Sequence, residues 1–258
     1  MKIPRKAASA HWYHKDGTPC HEVTAKTTGL PRPTTVSDAR KLGLIPSVTN
    51  ILGVSAKPQL ITWLQDNAIR AALATPRNPD EPEEQWLARI AAESDKIGEN
   101  AASLGTLIHE QIETYNRECT FNGNPEIVKL VERYPQWFAD NIETVIDCEA
   151  KVVGDGYAGR LDLYAMLKIG RRAVIDFKSQ KLVGKPKPNF YRDWSMQLAA
   201  YGAAVKEPDD QWPVLMSVII ASDATVDPIV KVWDEPEKAF AAFECCKGLW
   251  SFNKDYWP

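Results

Sequence analysis

Asp176 and Lys178 flank Phe177 at the end of a run, Ala173-Val174-Ile175, that is otherwise apolar and largely β-branched. In a strand, side chains two residues apart share a face, so the acid and the amine point one way and the phenyl ring the other. An Asp-x-Lys tripeptide occurs by chance roughly once in a chain of ordinary composition and this length, so its meaning rests on its company. Two more acids, Glu149 and Asp162, precede it within Glu149–Lys178. Like charges ~4 Å apart repel by ~4 kcal/mol at an effective dielectric of about 20, and one lysine offsets only one acid. Acids that converge in this way ask for a divalent cation, and an oxygen-rich site with one imidazole suits Mg²⁺ or Mn²⁺.

The elements that must position these groups can be read from the same stretch. Gly154-Asp155-Gly156 and Ile169-Gly170-Arg171 interrupt it, which predicts three successive strands joined by tight hairpins. Upstream, Gly105-Thr106-Leu107-Ile108-His109-Glu110 lies in a helical pattern, and Gly105, one turn before His109, lets that helix approach a sheet closely. His109 opens His-Glu-x-x-Glu, but a zinc protease needs a second His where Glu113 stands, so that chemistry is excluded. Downstream, Gln197-Leu198-Ala199-Ala200-Tyr201 puts an amide and a phenol one turn apart on a single helix face.

The ordered set Gly105-Thr-Leu-Ile-His109, Gly159-Arg-Leu-Asp162, Ile175-Asp-Phe-Lys178 and Gln197-Leu-Ala-Ala-Tyr201 resembles the RecB-like branch of the PD-(D/E)XK nucleases, which includes phage lambda-type exonucleases. The resemblance covers roughly residues 98 to 222, and Leu44–Leu52 resembles the N-terminal segment of phage-borne members. It implies an α/β fold: a restriction-endonuclease-like core, with a mixed central sheet flanked by helices, and an N-terminal helical elaboration. It also implies that Asp162, Asp176, a nitrogen of His109 and the backbone carbonyl of Phe177 hold Mg²⁺ or Mn²⁺. Lys178 would position the attacking water, and Glu149 would orient water or touch a second ion. Gln197 and Tyr201 would hold phosphate oxygens, with Arg160 and Lys181 adding contacts to DNA. The implied activity is a metal-dependent DNA exonuclease of phage recombination or DNA repair, with a single-strand annealing protein as a further partner. An endonuclease or flap-type single-strand nuclease on the same core, and a non-catalytic DNA-binding module, are the alternatives. The four-cysteine cluster of some relatives has no matching spacing here.

Composition agrees with a nucleic-acid enzyme. With 258 residues, 44% hydrophobic and 25% charged, the chain can bury a sizeable core. No apolar run is long enough to span a bilayer, and Met-Lys-Ile-Pro-Arg-Lys leads into polar sequence, so the expectation is a cytoplasmic protein with no membrane partner. Five cysteines without a Cys-x-x-Cys pair argue against a disulfide framework or a structural zinc. The net charge of −3 hides an asymmetry: Lys151–Arg192 holds ten Lys/Arg against three Asp/Glu, or +7, leaving −10 elsewhere. Positive charge gathered around the acids suits a phosphate backbone.

Two regions are expected, residues 1–95 as an N-terminal hairpin and helical elaboration and residues 96–258 as the core. Within the first, residues 11–24 read as a hairpin turning at Asp16-Gly17, whose alternation keeps His11, His14, Cys20 and His21 from converging on a metal. Gly29, Pro31 and Pro33 predict a loop over 25–35. Ser47 caps a short helix to Leu52, Pro58 opens a helix over Gln59–Ala74, and helices follow over Glu83–Glu93 and Lys96–Glu118. Trp63 and Trp86 are expected in the core. Beyond these, helices are predicted over Pro125–Val145, kinked at Pro135, over Arg192–Val205 and from Pro236 to Phe252. The run Trp212–Ala221 predicts a buried strand and Ile229–Trp233 an edge strand.

Overall fold

Gly156 and Gly170 both adopt positive φ, +73° and +74°, the conformation that tight turns ask of a residue without a Cβ. The strands on either side of each turn pair as the sequence predicts. The computed structural model describes residues 11–184, 187–207 and 211–258; Lys185 of the basic stretch and the N-terminal Met-Lys-Ile-Pro-Arg-Lys lie outside them. The chain forms two units, Ala56–Leu107 and, of the described residues, 11–55 with 108–258.

The larger unit opens with β1 (Trp12–Tyr13), β2 (Glu22–Thr24), β3 (Pro31–Pro33), α1 (Val36–Leu42), β4 (Ile45–Pro46) and α2 (Val48–Ile51). The turn at Asp16-Gly17 forms, with His14 N–H donating to the Thr18 carbonyl at 2.8 Å, but β1 takes β4 as its ladder partner. The expected loop over 25–35 contains β3, which pairs antiparallel with β2. Pro31 and Pro33 are tolerated because they alternate. The hydrogen bonds from Ala25 N–H to the Leu30 carbonyl and from Thr34 N–H to the His21 carbonyl put both prolines on the outer edge, where no donor is needed. Ser47 caps α2, its side chain accepting from Asn50 N–H.

In the smaller unit, α3 (Pro58–Ala74) carries Pro58 in its first turn, and α4 (Glu83–Glu118) is one continuous helix of 36 residues that runs on past the unit's end. The sequence predicts two helices here with a break near 94–95; no Pro stands in the interior to enforce one. Trp86 is half-buried and donates from Nε1 to the Thr75 carbonyl at 2.7 Å. Trp63, expected in the core, is exposed, as are Leu60, Ile61, Leu64 and Ile69 of α3.

After α4 the chain forms α5 (Pro125–Leu130), α6 (Tyr134–Asn141), β5 (Ile142–Gly154), β6 (Tyr157–Leu167), β7 (Arg172–Gln180), α7 (Arg192–Val205), β8 (Val214–Ala221), β9 (Ile229–Trp233) and α8 (Pro236–Lys254). The single kinked helix expected over Pro125–Val145 is thus two short helices and the start of a strand. Pro135 sits in the first turn of α6, the place where a missing N–H breaks no bond. From Ile142 onward the β-branched residues join the sheet.

That sheet has the order β5-β6-β7-β8-β9, antiparallel throughout except for the parallel pair β7–β8. A parallel pair needs a long crossover, and α7 lies within it. The fold is therefore mixed α/β, a five-stranded central sheet with helices. β8 (V-L-M-S-V-I-I-A) is buried at every residue, as a central strand covered on both faces must be. Leu198, Ala199, Ala200 and Tyr201 of α7 share a core cluster with Leu161, Val174 and Leu215 of the sheet and Phe243 and Trp250 of α8. Among the described residues, no helix is long and apolar enough to cross a membrane.

Gly159 is where α7 and β6 approach most tightly: a Cβ built there would lie 2.5 Å from a ring carbon of Tyr201. Tyr201 is only 4% exposed and has little room to withdraw. Gly159→Ala is therefore expected to lower unfolding stability by about 1–3 kcal/mol in urea melts, with Tyr201→Leu in the same chain recovering most of the loss. An unchanged midpoint in Gly159→Ala would show that the helix is not seated on the strand in this way.

Candidate functional site

The three acids stand in one row. Cys148 pairs with Leu163 and Ala150 with Leu161, which sets Glu149 opposite Asp162 across β5 and β6. Leu163 pairs with Ile175, the last pairing on that end of β6–β7, which sets Asp162 beside Asp176 one step further on. Where the backbone ladder stops, a side chain continues it: Phe177 N–H donates to Asp162 Oδ2 at 2.7 Å. The carbonyl of Phe177, which in a strand points to the same side as its N–H, faces that edge as well.

Alternation along β7 is as the sequence predicts. Phe177 turns its ring away to meet Tyr134 and Trp137 of α6 edge-on, at centroid distances of 5.5 and 6.2 Å. Asp176 and Lys178 share the other side, where the amine lies 2.8 Å from Oδ1 and 2.7 Å from Oδ2. The ammonium thus lies against both buried carboxylate oxygens, with hydrogen-bond geometry at Oδ1. The Lys178 amine also sits 5.8 Å from the centre of the Trp194 ring on α7, a cation–π contact.

His109 reaches the row from α4, its Nδ1 3.7 Å from Asp162 Oδ2. With Ile112, Glu113 and Asn116, which follow at helical spacing on the same face, it lines a narrow cleft shared with Glu149, Asp162 and Phe177. Asn116 is fixed by accepting from the buried Tyr134 hydroxyl at 2.6 Å, which ties this face of α4 to α6. Glu113 is held by Arg117 at 3.0 Å.

Electrostatics follow from the crowding. Burial, then the charge of Asp162, pushes the Glu149 carboxyl up to about 7. Burial also raises Asp176, although Lys178 opposes it. Burial works to lower the Lys178 amine, but Asp176 and Asp162 outweigh it and hold it above its ordinary value. Glu149 itself occupies the left-handed region, φ +58°, a conformation that costs a non-glycine residue about 1 kcal/mol; its carboxylate lies between the pocket and Arg160.

The residues singled out in the sequence thus fall into groups. His109, Glu149, Asp162 and Phe177 line one pocket, with Asp176 and Lys178 adjoining through the strand register. Arg160 ion-pairs with Glu149 at 2.8 Å and is otherwise solvent-facing. Gln197 donates to the Tyr201 hydroxyl at 3.2 Å, and Tyr201 is buried against Gly159, so this pair braces α7 against β6. Lys181 is exposed just beyond β7. Glu113, Asn116 and Trp194 were not singled out; each repeats at helical spacing from a residue that was, Glu113 and Asn116 from His109 and Trp194 from Gln197 and Tyr201.

A divalent cation fits the chemistry of the donors: three carboxylates and an imidazole side by side, with Glu149 and Asp176 raised in proton affinity by burial and by the charge of Asp162. As they stand, no three His, Cys, Asp or Glu side chains among the described residues are gathered closely enough to hold an ion. Asp162, Asp176 and Glu149 are each engaged with a donor of the protein instead.

The raised Glu149 group has a measurable consequence. Its folded form holds a proton more tightly than the unfolded chain does, so stability contributed by the neutral form is lost as pH rises from about 4.5 to about 7. In EDTA, urea unfolding of the wild type should show stability falling more steeply over that range than that of Glu149→Gln, the difference being at most ~1.4 kcal/mol per pH unit. Equal slopes for the two proteins would mean that Glu149 does not carry the proton.

Neither the family models nor the curated proteins compared with the chain match it, so what this site does must be argued from its own geometry.

Proposed function

We propose that the chain is a metal-dependent deoxyribonuclease, an exonuclease of phage-recombination or DNA-repair type built on a PD-(D/E)XK-like core. The observation that carries this reading is the carboxylate row with its two attendants. Asp162 meets the imidazole of His109 at 3.7 Å, and Asp176 meets the Lys178 amine at 2.8 Å, on adjacent antiparallel strands. The β5–β6–β7 meander, the crossover helix α7 and the parallel strand β8 support the resemblance noted in the sequence.

Asp162, Asp176, the Phe177 carbonyl, His109 and Glu149 are the groups that would hold Mg²⁺ or Mn²⁺. When bound, the ion would neutralise the phosphodiester and lower the pKa of a water. Lys178, kept protonated by its acids, directs the attacking water and stabilises charge on the phosphate; its setting between Trp194 and Asp176 preorganises it. The basic stretch Lys151–Arg192 binds backbone phosphate without reading bases, as a sequence-tolerant nuclease requires. Arg160 and Lys181 reach that backbone from the exposed side. Gln197 and Tyr201 act as the brace behind the strand, and half-buried Gln197 keeps a second amide N–H as a neutral donor toward phosphate.

Asp176→Asn and Lys178→Met are each expected to lower cleavage of end-labelled linear DNA by about 10²–10⁴-fold while duplex binding in Ca²⁺ is retained. Activity in both variants equal to wild type would remove the site from the reaction. Covalently closed circular DNA should be spared in the same assay, and its cleavage would turn the reading to the endonuclease. Retained binding with no cleavage in Mg²⁺ or Mn²⁺ by the wild type would turn it to a binding module.

A further inference from the structure

Arg160 lies at the open side of the carboxylate row, with its side chain 57% exposed. Its Nε is 2.8 Å from Glu149 Oε2 and 3.2 Å from the Glu149 backbone oxygen. Both contacts use that one nitrogen. Among the described residues, the two terminal nitrogens make no hydrogen bond, and those are the atoms with which a guanidinium takes two oxygens of a phosphate side by side. Glu149, on the other flank, is a wall of the pocket with His109 and Asp162. Its carboxylate lies between the guanidinium and the pocket, on a backbone in the left-handed region, φ +58°. The carboxylate faces the arginine across that contact.

Resting on the nuclease reading and deepening it, we propose that Arg160 is a positioning residue that couples nucleic acid to metal. It holds Glu149 in the free chain and surrenders it when a backbone phosphate takes the guanidinium, which leaves Glu149 to the cation. The physical basis is competition for one carboxylate. A guanidinium on Glu149 both occupies its oxygen and repels a divalent ion approaching the pocket. A phosphate on the same guanidinium removes the competitor and cancels the repulsion. Coupling of this kind is reciprocal, so the cation must tighten DNA binding by the factor with which DNA tightens the cation. The arrangement withholds a complete metal site until substrate arrives.

Two measurements on the full chain test it, neither of which needs turnover. The first is Mn²⁺ binding without DNA, by electron paramagnetic resonance of the free ion. The second is binding of a fluorescein-labelled short DNA duplex by anisotropy, in EDTA and in Ca²⁺. Arg160→Gln is expected to bind Mn²⁺ about threefold to tenfold more tightly than the wild type. It should bind the duplex more weakly in EDTA, and the tightening that Ca²⁺ produces in the wild type should shrink to less than about twofold. Arg160→Lys, a point charge that cannot form the two-pronged contact, should fall between them; it carries the test if Arg160→Gln does not fold. Unchanged Mn²⁺ affinity and unchanged Ca²⁺ response in these variants would overturn the coupling while leaving the nuclease reading intact. A wild type that binds no Mn²⁺ saturably would overturn both.

Discussion

Three carboxylates side by side across neighbouring strands are tolerable only if each is given a donor. At ~4 Å and an effective dielectric of about 20, each unrelieved pair would cost ~4 kcal/mol, a large part of the stability of a domain. Asp162 accepts the N–H of Phe177, Asp176 takes the Lys178 amine, and Glu149 takes Arg160. Each donor lies one or two residues along the chain from an acid of the row. The local sequence thus neutralises the row, and the residual imbalance surfaces as the raised proton affinities of Glu149 and Asp176.

Packing and chemistry meet at Phe177. Its ring is clasped by Tyr134 and Trp137 while its N–H holds Asp162, so the aromatic cluster of α6 sets where the row's central acid stands. The Tyr134 hydroxyl carries the same constraint on to Asn116. Asn116 shares a face with His109 and so fixes the rotation of α4 that presents the imbalance of charge with a nitrogen donor. On the opposite flank, α7 is drawn against the sheet by Gly159 and by the Tyr157 hydroxyl, which donates to the Ala200 carbonyl at 2.9 Å. That seating brings Trp194 over Lys178.

Much of this was legible because the signals were local. The meander followed from two glycine turns and period-two alternation. α7 and β9 fell at the expected residues, and β8 and α8 within two of them, because Pro236 and uninterrupted apolar runs mark their ends. Misreadings arose where local rules compete. Prolines at 31 and 33 argue for a loop until their alternate placement on one edge of a two-stranded ribbon is seen. Pro125 and Pro135 open two helices in place of kinking one, and the apolar pattern after Asn141 suits a strand as well as a helix. α1 is marked in the sequence only by its ends, where Thr35-x-x-Asp38 forms a capping box and Gly43 closes the helix in the left-handed region.

The sequence by itself marked the acids, the lysine and the helical histidine that the fold gathers together, because strand alternation and short spacings are properties of the backbone alone. It also determined the charge asymmetry that surrounds them. Only the tertiary structure decided that Glu149 lies opposite Asp162 in register, that Arg160 pairs with Glu149, and that Gln197 donates to Tyr201. Those outcomes depend on strand register, a left-handed residue in β5 and the close approach of α7 to Gly159. Each is a choice made between elements distant in the chain, where no spacing along the sequence can specify which partners meet.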